Sequence, residues 1–308
     1  MKLKGYILAA LAAATYGTNP AFAVPLYGDG MNPTSVLLFR YLLSLPILLL
    51  IILGRGWNLK LNRRELAPVV ILGVLMGLSS LGLFESYKYM NAGVASTLLF
   101  MYPVMVALLM TFFYHERFRI TTGICLAIMT AGLLLLVRTD GGDAEGGVSL
   151  VGFLLVFLSS LTYAVYLVMT NVSTKIKGIP TVKLLFYQLL AGSSVFIFML
   201  VAGEPLTLPG GLNGWTDVTA LALLPTVMSL YCTTAAIHCI GSTPTAIFGA
   251  LEPVTAVVLS VVLLHQPMST NEILGGLLII IATSLVVASD PVDHALLRMR
   301  RLFPRLRR

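Results

Sequence analysis

Charged side chains are scarce in this chain of 308 residues: Lys, Arg, Asp and Glu together make up 11% of it, and apolar residues make up 57%. Globular domains carry about 25% charged residues, so a water-soluble fold of this size would lack the charge to cover its surface. The mean hydropathy is +0.92. The apolar runs are continuous rather than alternating, which excludes a β-barrel and predicts an all-α integral membrane protein.

Several catalytic and structural motifs are absent. The three cysteines, Cys125, Cys232 and Cys239, lie in or beside apolar runs, and the last two are too far apart on a helix to form a disulfide. The sequence contains no Gly-Lys dipeptide, which excludes a P-loop ATPase. No Cys/His cluster has the spacing of a metal site. We therefore expect no metal and no cofactor.

Apolar segments long enough to cross a bilayer recur along the whole chain. A spanning helix needs about 20 apolar residues. The sequence predicts ten such helices, at 4–27, 33–53, 66–87, 92–113, 120–138, 148–172, 180–202, 215–238, 243–264 and 270–289.

The positions of Lys and Arg orient these spans. Outside the spans, all but Lys88 and Arg138 fall on the side of the N-terminus. Because basic residues favour cytoplasmic loops, both termini are predicted to be cytoplasmic, in a multi-pass protein of a prokaryotic cytoplasmic membrane. The alternative is that Lys2, Lys4 and the small residues at 21–23 mark a cleaved signal peptide, and the repeat described next argues against it.

The chain also resembles itself. The pattern Leu-x3-Thr-Tyr at 11–16 recurs at 158–163, and Pro-Thr-x-x-Leu-Leu-Phe at 33–39 recurs at 180–186, both at an offset of 147 residues. At an offset of 150, Pro103-Val104 matches Pro253-Val254. We predict two five-helix repeats, 1–138 and 148–290, joined by an external linker, 139–147. Because five is odd, the repeats have opposite orientations in the membrane, an arrangement on which many secondary transporters are built.

The ten predicted spans are arranged as five plus five. Span two contains Phe39-Arg40, span three ends with Tyr87-Lys88-Tyr89, and span nine contains Leu251-Glu252-Pro253-Val254. Together these features resemble the drug/metabolite transporter superfamily, in particular its EamA family. The resemblance covers about residues 4–289. It implies secondary transport of small metabolites, often the export of amino acids or related compounds, through a cavity between the two halves.

Glu252 is the most informative ionisable residue, because it is predicted near the middle of span nine. An unpaired charge there costs about 2.5–3.5 kcal/mol, so the presence of Glu252 requires a functional or structural explanation. Pro253 leaves the carbonyl of Gly249 without its helical donor, and Pro103 does the same to Leu99, so we predict a helix break at each proline. Glu252 is either a substrate or proton contact, or a structural carboxylate that pairs across the bundle or caps a broken helix.

Other ionisable groups within spans have two interpretations each. Arg40 and Glu85 are predicted at compatible depths in the membrane, so they can form an ion pair, either a fixed structural pair or a gate. Lys88 is interpreted as a snorkelling residue at a span end. His238 ends a stripe with Tyr231 and Thr234, which either lines water or lies at a helix interface.

Polar side chains within the spans complete the predicted substrate or gating site. Their tyrosines favour amphipathic or aromatic solutes over sugars. The full set is Tyr16, Asn19, Arg40, Glu85, Tyr102, Tyr163, Tyr166, Gln188, Tyr231, His238 and Glu252.

The sequence thus predicts a non-enzymatic secondary transporter that exports small metabolites by alternating access, with facilitated or weakly proton-linked coupling. The alternative is a membrane-embedded enzyme acting on a lipid-linked substrate. The basic tail, 291–308, is expected to bind the anionic inner leaflet rather than nucleic acid, and the protein is expected to be a monomer or a homodimer.

Overall fold

The computed structural model describes most of the chain. The described residues are 2–86, 89, 95, 98–115, 120–137, 149–252, 254–255, 258, 270–271, 273–282 and 284–285. The predicted linker 139–147, the tail 291–308, Lys88 and Pro253 lie outside them.

Throughout the described residues the regular structure is helical and contains no strand. The elements are α1 (Lys2–Tyr16), α2 (Asn19–Gly28), α3 (Pro33–Gly54), α4 (Arg63–Ser86), α5 (Tyr102–Tyr114), α6 (Ile120–Val137), α7 (Leu150–Val172), α8 (Thr181–Val201), α9 (Gly211–Leu221), a π-helical segment (Ala222–Met228), α10 (Ser229–Ile240), α11 (Ser242–Phe248) and α12 (Ile273–Ala282).

Six stretches of this part of the chain are long and apolar enough to cross a membrane. They are Lys2–Gly28, Pro33–Gly54, Arg63–Ser86, Leu150–Val172, Thr181–Val201 and Gly211–Ile240. Each coincides with a predicted span. The helices α5, α6 and α12 are shorter and apolar, and they overlap three more of the predicted spans. The fold is that of an integral membrane protein.

The first of these stretches is interrupted between α1 and α2. Pro20 has no N–H to donate to the carbonyl of Tyr16, so the helix cannot continue regularly across it. The Thr18 hydroxyl donates to the Thr15 carbonyl at 2.7 Å. Gly17 packs against span nine so closely that a Cβ at this position would lie 2.5 Å from the Glu252 carbonyl oxygen.

A second irregularity divides α9 from α10. Pro225 lies inside the π-helical segment and deprives the carbonyl of Leu221 of its i+4 donor. The Thr226 hydroxyl replaces that donor, at 2.7 Å from the Leu221 oxygen. The wider π turn thereby places a carbonyl and a hydroxyl where a neighbouring helix can reach them.

The helices pack mainly between the first and second halves of the chain. The helix α4 lies against α7 and α8, α3 lies against α8, α1 lies against α10, and α5 lies against α7. Serines join two of these pairs. Ser79 on α4 and Ser159 on α7 donate to each other's carbonyl, at 3.0 and 2.6 Å. Ser229 on α10 donates to the Ala12 carbonyl on α1 at 2.9 Å.

Small residues allow the closest of these approaches. Gly73 on α4 abuts the Gln188 carbonyl on α8, and a Cβ on Gly77 would lie 2.8 Å from the Gly192 carbonyl oxygen. Close backbone contact of this kind is a main source of helix association in lipid. Small residues do not always mark such contacts: Ala127 and Ala131 on α6, which follow Gly123 at intervals of four residues, are exposed.

We expect Gly73→Ala to destabilise the protein by about 1–3 kcal/mol, because the added methyl group would force α4 away from α8. Gly54→Ala is the matched control, since a Cβ there has no atom within 4 Å. Unfolding in detergent, followed by intrinsic fluorescence, measures both variants. Equal stability of the two variants would contradict the packing described for α4.

Candidate functional site

The chain turns just before Pro103, and the turn is bonded across the bundle. Phe100 and Met101 form a turn, and α5 begins at Tyr102 with the proline in its first turn. The Leu99 carbonyl, which loses its helical donor to the proline, accepts a hydrogen bond from the Ser160 hydroxyl on α7 at 3.0 Å. A broken span is thereby joined to a helix of the other half.

Span nine is interrupted as well. Its helix α11 ends at Phe248, and Gly249 and Ala250 form a turn before Leu251 and Glu252. The Gly249 carbonyl accepts from the N–H of Glu252 at 2.9 Å. Pro253, at which the sequence predicts a break, lies outside the described residues.

A small cavity lies beside these two breaks. Its volume is about 20 Å³, which is room for about one or two water molecules. It is lined by Tyr16, Met76, Ser79, Ser80, Leu83, Leu99, Tyr102, Tyr163 and Glu252.

A second cavity, of about 10 Å³, lies nearer the Lys2 end of the bundle. It is lined by Ala9, Ala12, Ala13, Tyr102, Tyr163, Leu167, Thr233, Thr245, Ala246, Gly249 and Glu252. The two cavities share Tyr102, Tyr163 and Glu252. These three residues, which we name the partition, therefore lie between the two cavities.

Aromatic contacts hold the partition in place. The rings of Tyr102 and Tyr163 meet edge to face, with centroids 4.9 Å apart, and Tyr163 stacks on Tyr166 at 5.9 Å. The Tyr166 hydroxyl is 3.5 Å from the Gln188 side-chain oxygen. The Tyr102 hydroxyl lies directly against the Cα of Gly249, where a side chain would collide with it. Tyr166 and Gln188 thus support the partition without lining either cavity.

Arg40 lies behind Tyr16 rather than in a cavity. Its side chain is 2% exposed, and its guanidinium carbon is 5.6 Å from the centre of the Tyr16 ring. Its Nε donates to the Thr226 hydroxyl, and its Nη2 donates to the Pro225 carbonyl at 3.4 Å. Among the described residues, Arg40 therefore binds the π-helical segment and not Glu85, the partner suggested by depth.

The remaining predicted site residues lie outside both cavities. Asn19 begins α2, and Glu85 lies near the end of α4. Tyr231 is 40% exposed and His238 is exposed, whereas Thr234, in the same stripe, is buried. Within the described part of the chain, no three His, Cys, Asp or Glu side chains are grouped to hold a metal ion.

Three features of the site were missed by the sequence reasoning. They are the serines Ser79 and Ser80, the contact of Gly249 with Tyr102, and the π-helical segment that binds Arg40. Adjacent hydroxyls within an apolar span and Pro225 inside another span are signals that could have indicated the first and the third. The glycine contact depends on tertiary packing and leaves no local pattern.

Comparison with known proteins assigns this arrangement of irregular apolar helices to membrane transporters. The model of the EamA-like transporter family matches residues 3–138 and 150–288. The chain belongs to this family. It is therefore a multi-pass membrane protein of a transporter family, which implies a small-molecule solute.

The sequence identity to individual relatives is low. The chain is 24% identical over 250 residues to the uncharacterized transporter YdfC of Bacillus subtilis (strain 168), covering 80% of this chain and 79% of that protein. It is 26% identical over 265 residues to the uncharacterized transporter sll1319 of Synechocystis sp. (strain ATCC 27184 / PCC 6803 / Kazusa), covering 82% and 78%.

A solved structure, described only as the crystal structure of a protein, superposes on this chain with a TM-score of 0.78 and 20% sequence identity. The superposition covers 93% of this chain and 97% of the chain in the solved structure. At this identity the likeness concerns the fold alone.

We expect Gly249→Ala to displace Tyr102 and to lower the stability by about 1–3 kcal/mol. Removing the hydroxyl in Tyr102→Phe makes room for part of the new methyl group. The double variant should therefore be less destabilised than the sum of the two single variants, as measured by thermal unfolding in detergent. Additive effects would show that the two side chains do not meet.

Replacing Arg40 with Gln should destabilise the bundle by about 1.5–3 kcal/mol, because buried hydrogen bonds of a charged donor are lost. Lys183→Gln provides the control, since Lys183 also donates to a carbonyl of another segment, that of Lys60, but in an exposed position. The control should change stability by less than about 0.5 kcal/mol. Similar losses in the two variants, measured by chemical unfolding, would refute the assigned role of the π-helical segment.

Proposed function

We propose that this transporter exports small amphipathic metabolites, amino acids among them, from the cytoplasm by alternating access of two inverted five-helix repeats. The observation that carries this proposal is the partition of Tyr102, Tyr163 and Glu252, which has a cavity on each side. A site that faces two separate spaces is what alternating access requires, since a bound solute can then be released toward either one.

Hydrogen bonds between the halves support the inverted repeat. At the offset of 150 residues Ser79 corresponds to Ser229, and at the offset of 147 Ala12 corresponds to Ser159. The bond from Ser79 to the Ser159 carbonyl therefore has its counterpart in the bond from Ser229 to the Ala12 carbonyl. Two interfaces that correspond by sequence offset also share a hydrogen bond, as expected for halves with one common architecture.

The cavity residues follow the same relation. Tyr16 corresponds to Tyr163 at the offset of 147, and Tyr102 corresponds to Glu252 at the offset of 150. All four line the first cavity. Side chains related by an internal symmetry can meet only near its axis, which favours a solute site between the repeats, where transporters of this design bind their solutes.

Solute binding must widen the bundle. Room for a few water molecules is far less than a metabolite occupies. The interruptions at Gly17–Thr18, Phe100–Met101 and Gly249–Ala250 all adjoin this region, and backbone turns are the places where helix segments can pivot. We propose that the segments on either side of these turns move apart on one side of the partition at a time.

The wider setting follows from the sequence. We propose ten spans in a prokaryotic cytoplasmic membrane, with both termini cytoplasmic and the basic tail against anionic lipid. Facilitated or weakly proton-linked export fits a chain without an acidic residue in span one. An embedded lipid-modifying enzyme has less support, because the described residues that line the two cavities include no histidine or cysteine.

The transport proposal is tested by solute flux in proteoliposomes, using a panel of amino acids and small metabolites, with and without an imposed pH gradient. We expect flux of at least one solute, weakly affected by the gradient. Glu252→Ala and Tyr102→Ala should reduce that flux about tenfold or more, because they remove part of the partition.

Tyr231→Ala serves as the matched control, because this tyrosine is exposed and lines neither cavity, and its flux should be close to that of the unaltered protein. Absence of flux for the whole panel would refute the transport proposal. Full activity of the Glu252 and Tyr102 variants would move the site elsewhere.

A further inference from the structure

Among the described residues that line the two cavities, Glu252 alone carries a formal charge. Across the described residues its carboxylate makes no ion pair and no side-chain hydrogen bond. Carboxylates in a membrane interior are normally paired with a cation or with several hydrogen-bond donors. The site therefore contains an acceptor of positive charge and, in the described part of the protein, nothing that occupies it.

The guanidinium of Arg40, a cation near this site, binds the π-helical segment instead of Glu252. Arg40 donates to Thr226 and to the Pro225 carbonyl on the far side of Tyr16, and it lines neither cavity. The ring of Tyr16 lies between its guanidinium and the solute space, and the Thr226 hydroxyl and the Pro225 carbonyl take two of its donors. Among the described residues, Glu252 and not Arg40 therefore presents its charge at the wall of the cavities.

Aromatic rings complete the surroundings of the carboxylate. Tyr16, Tyr102 and Tyr163 line the same cavity as Glu252. The electron-rich face and the hydroxyl oxygen of a tyrosine both attract cations, and such attraction grows when water is excluded. Three tyrosines and one carboxylate form an environment that suits an ammonium group bearing an apolar substituent.

We propose that Glu252 and these tyrosines select solutes by a cationic amino group, so that primary amines and amino acids bind and their N-acylated derivatives do not. An ammonium group pairs with the carboxylate and removes the cost of leaving it unpaired in a medium of low polarity. Acylation abolishes the positive charge of the nitrogen. A solute left with only its carboxylate is then repelled by Glu252.

This inference deepens the proposed function and rests on it for the location of the site. It narrows the solute class beyond amphipathic metabolites. The amino group is the recognised element, the apolar part lies against the tyrosines, and a carboxylate on the solute is tolerated rather than required.

The test uses equilibrium binding to the purified full-length protein in lipid nanodiscs. The probes are matched triplets of amine, amino acid and N-acetyl amino acid built on phenyl, indole and isobutyl groups. In at least one triplet the amine and the amino acid should bind about tenfold or more tightly than the N-acetyl compound. Glu252→Gln, which keeps the size of the side chain, should abolish that preference, and Glu252→Asp should retain part of it.

Two results would overturn the proposal: N-acetyl compounds that bind as tightly as their parent amino acids, or amine binding that is the same in Glu252→Gln. Failure of every amine to bind would overturn it too. Thermal unfolding of each variant without ligand verifies that the protein is folded. Tyr231→Phe, a change outside the cavities, should leave the preference intact.

Flux measurements separate this inference from the transport proposal. If amines bind through Glu252 but no solute crosses the membrane, the cation site stands and transport fails. If solutes without an amino group are transported and amines do not compete with them, transport stands and the cation site fails.

Discussion

The architecture depends on one constraint: a backbone carbonyl released from a broken helix inside a membrane must find another donor in the protein. Three carbonyls at the irregular segments near the site accept hydrogen bonds from specific side chains. The Leu99 carbonyl binds Ser160, the Leu221 carbonyl binds Thr226, and the Pro225 carbonyl binds Arg40. Two of these donors belong to a helix of the other half of the chain. The irregular backbone that creates the site thus also connects the halves around it.

Much of the fold could be predicted, because hydropathy reports directly on burial in lipid. The six long apolar stretches coincide with predicted spans to within a few residues. The interruption at Gly17–Thr18 and the π-helical segment were not predicted, because proline lowers the mean hydropathy of a window only slightly. Pro20 and Pro225 were visible in the sequence, but the donors that accommodate them come from distant segments, which a single span does not reveal.

The site was predicted unevenly, for a related reason. Glu252, Tyr102, Tyr16 and Tyr163 follow from depth and from the repeat, and they line a common cavity. The helical periodicity of Tyr231, Thr234 and His238 along α10 did not identify cavity residues, since Tyr231 and His238 are exposed. A helical stripe shows which side chains share a face but not what that face meets. Arg40 requires a partner, and it binds the hydroxyl of Thr226 and the backbone carbonyl of Pro225, neither of which carries an opposite charge that a sequence would reveal.

Packing between the halves has a consequence for how the protein is made. The tight glycine faces of α4 meet α8, and α1 meets α10, so the main partners of these early helices belong to the second half of the chain. Until that half has been synthesised, Gly73, Gly77 and Ser79 lack the neighbours that they contact in the folded protein. Insertion of the early spans must therefore precede their final packing, and the first half stays incomplete until the second half has joined it.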